Sequence, residues 1–279
     1  MSIRSCPAID VHAHYGIYIQ HVSGQPNDAI NDGFMTGDAA VVVRRARRVN
    51  VLTTIASPLL ALLPRYKADA VAGNIEGARV IAETPGMKQY VVIDPLKPET
   101  YRQAEEMLSQ PQCVGIKIHP EEHGYPIVEH AKPIFEFAAK HKAIVLTHSG
   151  EQRSLPEDFI PWANSFPEMK LILAHIGCGW DRDYTHQVRA IQMSKKGNVY
   201  ADTSSMMSIL PNIIEWAVSE VGPDRILFGT DTPLYHTSMH RIRIEHAELS
   251  DAVKRQIFRD NAVKLFGFTD FPENVEEYA

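Results

Sequence analysis

The feature that most constrains this chain is an alternation repeated eight times: a short apolar run, then a stretch with helical periodicity. The runs fall at 8–14, 51–57, 89–94, 114–119, 143–148, 171–175, 199–203 and 226–231. They are continuously apolar rather than strictly alternating, as parallel strands covered on both faces should be. Helices are predicted at 38–49, 68–83, 99–109, 131–141, 157–164, 184–195 and 211–220, with two more at 240–248 and 251–266. Asp38 and Ser250 stand where N-caps would. Eight strand–helix repeats without a Ser/Gly/Pro-rich linker predict an α/β fold, a single closed (β/α)₈ barrel spanning 1–279 as one domain. The longest irregular stretch, 15–37, would lie over the mouth of that barrel.

Composition excludes several classes. The net charge is -6, and the arginines at 44, 45, 47 and 48 fall beside valines at helical spacing, a solvated helix face rather than a basic stripe. Nucleic acid is therefore not an expected partner. No apolar run approaches the roughly 18 residues of a membrane span, and no charged-then-apolar leader opens the sequence. Cys6, Cys113 and Cys178 are too few and too scattered for a disulfide framework, which suits a reducing cytoplasm. The 13 histidines direct attention to metal or acid–base chemistry.

Several of those histidines sit at predicted strand ends. His12 and His14 are two residues apart on the first strand, so both face the barrel mouth and could share one ion. Lys117 and His119 end the fourth strand, His148 the fifth, His175 the sixth and Asp231 the eighth. In a (β/α)₈ barrel these ends converge on the face where active sites lie. Imidazoles and a carboxylate suit Zn²⁺, with Mn²⁺ as an alternative, and leave a position for water whose pKa the ion lowers towards about 7. Asp231 could touch the ion and take the proton from that water, and His175 could polarise a substrate carbonyl.

The motifs Asp10-Val11-His12-Ala13-His14, Gly-Ile-Lys-Ile-His-Pro ending at Pro120, Thr147-His148-Ser149-Gly150, Ala174-His175-Ile176-Gly177 and Gly229-Thr230-Asp231-Thr232-Pro233 resemble those of the amidohydrolase superfamily. The most similar branch is amidohydrolase-related family 2, metal-dependent hydrolases of the TIM-barrel fold. The stretch Asn261 to Gly267 is similar to the closing helix of that branch, so the resemblance runs from Ile9 to Gly267. It implies metal ligands at His12, His14, His148 and Asp231, and a catalytic or water-positioning role for His175. One divalent ion is expected. Some superfamily members carbamylate a fourth-strand lysine to bridge two ions, so Lys117 with His119 is the candidate for a second metal.

Other residues carry weaker expectations. Asp10 could orient a ligand histidine or cap local backbone, and Asp202 could support His175 or pair structurally. Tyr15, Arg153, Trp180 and Tyr235 are candidates for substrate contact, and Arg153 or Arg65 could clamp a carboxylate. Cys178 as a nucleophile is disfavoured beside a metal–water site. The leading expectation is hydrolysis of a small lactone, ester or amide, with Asp231 as proton shuttle. The alternative is metal-dependent, non-oxidative decarboxylation of an aromatic or enoic acid, known in the same branch. A non-catalytic or metal-free barrel is the third, which elemental analysis would separate. A small molecule is the expected partner, and pairing into a homodimer is compatible with the fold.

Overall fold

The computed structural model describes residues 2–18, 35–65 and 67–278. The tip of the long first loop, including His21 and Phe34, lies outside them. Eight parallel strands run in sequence order, β1 (Ala8–Tyr15), β2 (Val51–Pro58), β3 (Met87–Val92), β4 (Cys113–Ile118), β5 (Ile144–Thr147), β6 (Lys170–Leu173), β7 (Val199–Asp202) and β8 (Ile226–Leu227). Each is followed by a helix, α1 (Ala39–Arg47), α2 (Ala70–Ala82), α3 (Pro98–Met107), α4 (Ile127–Lys140), α5 (Pro156–Ser165), α6 (His186–Met193), α7 (Ile213–Val221) and α8 (Thr237–Glu245). A closing helix follows, α-helical over Asp251–Arg255 and Asn261–Phe266 with a π-helical stretch between. Asp38 and Ser250 cap their helices as expected, accepting from the N–H groups of Val41 and Val253.

Two apolar layers hold the barrel. Alternate strand residues such as Val91, Ile116, Val145 and Leu171 pack outward against Ala131, Phe135 and Phe159 of the helices. The opposite set fills the interior, where Ile9, Val11, Ile55, Tyr90, Leu146, Ile172 and Leu227 meet. That interior core stops below the strand ends, and the polar side chains begin above it.

Two departures from the expected strands matter for the site. The eighth strand was expected to reach residue 231, yet the ladder to β7 ends at Leu227. Beyond it the chain turns to bond β1: the N–H of Val11 donates to Phe228 O (2.9 Å), that of Asp231 to His12 O (2.8 Å) and that of His14 to Thr232 O (2.6 Å). These bonds close the barrel. The second departure is a register shift between Asp10 and Ala13, which breaks the strict alternation that would have put Asp10 beside the His12 ring. Asp10 instead accepts from the backbone N–H groups of His12 and Thr230 (both 3.1 Å) and from the Thr230 hydroxyl (2.6 Å). It ties β1 to the segment after β8, and burial pushes its carboxyl up to about 8.

Candidate metal centre and cavity

Above the interior core lies a cavity of about 230 Å³ at the C-terminal ends of the strands. His12, His14, Lys117, His119, His148, His175, Asp231 and Tyr235 all line it. Leu59, Leu62, Leu63 and Leu234 form an apolar wall, and Glu122 and Glu151 stand at its margin. Asp231 and His175 reach it from left-handed backbone (φ 55° and 72°), unusual for residues other than glycine.

What lies behind each imidazole dictates what it offers in front. The Nδ1 of His12 lies 3.0 Å from Asp202 Oδ2, and that of His14 lies 3.1 Å from the Ser57 carbonyl oxygen. An acceptor behind Nδ1 holds the proton there and leaves the Nε2 lone pair facing the cavity. The Lys117 ammonium meets one of these lone pairs, with Nζ 2.9 Å from His12 Nε2. Asp231 Oδ1 meets both rings, 3.1 Å from His14 Nε2 and 3.4 Å from His12 Nε2. Two lone pairs and a carboxylate oxygen thus converge, an arrangement that a shared cation satisfies.

His175 is oriented through Ser204. The Ser204 hydroxyl donates to Asp202 Oδ1 and lies 2.8 Å from His175 Nδ1, so the ring donates to the serine oxygen and turns Nε2 forward. The backbone N–H of His175 also donates to Asp202 Oδ1 (3.0 Å). Asp202 therefore serves two rings from one carboxylate. Ligand atoms of His12, His175 and Asp231 lie within 4.8 Å of one another, the one such group found among the described residues. His148 stands one bond further out, its Nδ1 3.1 Å from His175 Nε2 and its Nε2 2.9 Å from Glu151 Oε1. His119 stacks flat on His148 (centroids 4.2 Å apart, planes at 11°).

The electrostatics follow from burial. Desolvation, aided by the Lys117 charge, keeps His12 neutral by lowering its pKa, and desolvation does the same for His119 and His175. It lowers the Lys117 ammonium to about 8. Asp231 moves the other way from a simple buried acid. Burial opposes its charge, yet the close approach of the His14, His12 and His175 rings holds its carboxyl well below the usual range.

Among the proposed substrate contacts, Tyr235 lines the cavity. Tyr15 packs away from it with Val42, Val43 and Ile81, because its side chain falls on the other side of β1. Trp180 is 53% exposed outside the lining, and Arg153 is tied to the buried Glu121 through its backbone N–H (2.5 Å) and its guanidinium (3.2 Å). Arg65 pairs with Glu122 at 3.0 Å and lies 4.0 Å from Glu151. Ser57, Ser204 and Glu151, which set the orientation of three rings, were not singled out for that work in the sequence. Ser204 two residues after Asp202 was the available signal.

A family model described as amidohydrolase matches residues 9–268. No curated protein matches the sequence. Among solved structures, 2,6-dihydroxybenzoate decarboxylase from Rhizobium superposes with a TM-score of 0.73 at 16% identity, covering 96% of this chain and 99% of that one. Dihydroxybenzoic acid decarboxylase from Polaromonas, with bound manganese and the inhibitor 2-nitroresorcinol, gives 0.72 at 17%, covering 97% and 98%. 5-Carboxyvanillate decarboxylase from Sphingomonas paucimobilis gives 0.71 at 14%, covering 94% and 99%. At these identities the likeness is one of fold.

Proposed function

The chain belongs to the amidohydrolase family, and from that premise we propose that it is a metal-dependent decarboxylase of a small aromatic or enoic carboxylic acid. The observation that carries this reading is the meeting of a cation-seeking cluster with a leucine wall in one cavity of about 230 Å³, a space for a small molecule with an apolar face and a charged end. The fold neighbours that decarboxylate dihydroxybenzoate and carboxyvanillate support it.

His12, His14, His175 and Asp231 would hold the ion, with His148 able to join once it leaves Glu151 or His175. Mn²⁺ and Zn²⁺ both suit this donor set. When bound, the ion supplies Lewis acidity towards the substrate's oxygens. The leucine wall with Tyr235 excludes water and orients the ring. Loss of CO₂ leaves an electron pair on carbon, and one proton must replace it. Glu151 and His148 form a bonded line from the cavity margin inward, and His148, while its Nε2 stays on Glu151, would deliver that proton from the Nδ1 that faces His175. Asp231, charged beside the imidazoles, balances the ion.

The test is incubation of metal-loaded protein with panels of hydroxybenzoates and of lactones. CO₂ release from a benzoate, abolished by chelation and restored by Mn²⁺ or Zn²⁺, is the expected result. Turnover of lactones alone would overturn it in favour of hydrolysis. We rank hydrolysis second because the apolar wall matches a ring better than a polar leaving group.

A further inference from the structure

His119 differs from the other rings of the cavity in what stands behind it. His12 and His14 have acceptors at Nδ1, the Asp202 carboxylate and the Ser57 carbonyl. Behind His119 stands a donor. The backbone N–H of Glu122 reaches His119 Nδ1 at 3.3 Å, because the ring caps the single-turn helix Pro120–His123. Nδ1 therefore keeps its lone pair, and the proton of the neutral ring sits on Nε2.

That proton has no acceptor among the described residues, although His119 lines the cavity. The ring is held in place by its stack on His148, so the N–H is fixed in direction. A metal ligand at Nε2 would need the opposite tautomer, which would set an N–H at Nδ1 against the N–H of Glu122. The expected second-metal role of His119 therefore conflicts with its own cap. Lys117, two residues earlier on the same face of β4, points its ammonium at His12 deeper in the cavity. The β4 side of the cavity thus presents two donors, one above the other.

We propose that His119 binds the substrate carboxylate, donating Nε2–H to one of its oxygens, and does not ligate a metal ion. The substrate half of this assignment rests on the carboxylic-acid reading above. His119 acts by binding and orientation, not by proton transfer.

Two substitutions separate the functions of the ring. His119→Asn keeps an oxygen acceptor for the Glu122 N–H, and Asn is a good N-cap, so the fold is preserved while Nε2–H is lost. His119→Gln extends a carboxamide N–H to the place of Nε2. Metal-loaded proteins are titrated calorimetrically with 2,6-dihydroxybenzoate, and their metal content is measured. His119→Asn should weaken binding about ten- to hundredfold with metal content unchanged, and His119→Gln should recover most of the loss. Unchanged affinity in His119→Asn, or loss of metal from it, overturns the proposal. Nitrogen-15 histidine spectra of the wild type give a readout without substrate: a proton on Nδ1 of His119 would also overturn it. Carboxylate binding that follows this pattern without CO₂ release supports His119 and removes only the decarboxylation.

Discussion

Asp202 Oδ2 lies 3.0 Å from the Nδ1 of His12 while its Oδ1 accepts from the backbone of His175 and from Ser204. One fully buried carboxylate thereby sets the forward-facing nitrogen of two neighbouring rings, whose centroids lie 4.9 Å apart. Replacing it disturbs the tautomer of both. Asp202→Asn is expected to weaken metal binding about ten- to hundredfold, read by competition with a chromogenic chelator. Affinity within twofold of wild type would show that the rings hold their orientation without it.

Lys117 predicts a pH dependence in the metal-free protein. Its ammonium titrates at about 8 in the fold because burial disfavours the charge, whereas an unfolded chain releases that proton near about 10.4. Between those values the unfolded state holds more protons than the native one, so stability from this group rises with pH. Below about 8 the buried charge is present in full and the gain is absent. Denaturant titrations at pH 7.5 and 9.5, run on wild type and Lys117→Met, should show the wild type gaining relative to the variant at higher pH. Parallel behaviour of the two would refute the assignment.

Arg65 offers a contrast between stability and binding. Its side chain is 41% exposed and its pair with Glu122 sits at the margin of the cavity, so the ion pair contributes under about 1 kcal/mol. Arg65→Met should therefore leave the melting temperature within a few degrees. If the guanidinium turns from Glu122 to a substrate carboxylate, KM rises about tenfold with kcat little changed. Equal kinetics in both proteins would confine Arg65 to the surface pair.

Gly150 fixes the loop that carries Glu151. Its φ is +101°, and a Cβ there would come within 2.3 Å of the Cys178 carbonyl oxygen. Both the strain and the clash fall on backbone, which has little room to yield. Gly150→Ala should cost about 2–4 kcal/mol, seen as a drop in denaturation midpoint, and should also loosen the Glu151–His148 bond. A variant as stable as wild type would mean that the loops after β5 and β6 separate freely.

Much of this protein was legible in its sequence because strand and helix periods are local properties. Apolar runs marked all eight strands, and polar residues at their ends marked the face of the site. His12, His14, His148, His175 and Asp231 do line one cavity, since strand order alone carries them to one end of the barrel. The helix expected at 131–141 begins earlier, at Ile127, with Pro133 inside it, because packing of Ile127 and Ala131 against the strands outweighs the lost hydrogen bond.

The tertiary structure alone decided which nitrogen each ring presents. The sequence determined that these imidazoles would meet, but a ring's tautomer depends on what stands behind it, and those partners come from distant strands. Asp202 lies 190 residues from His12, and Ser57 lies 43 from His14. The same cause put His175 rather than His148 within the cluster of His12 and Asp231, through a left-handed residue and a serine hydroxyl that no period reveals. Periodicity fixes where a side chain starts, whereas hydrogen bonding across the closed barrel fixes where its lone pair points.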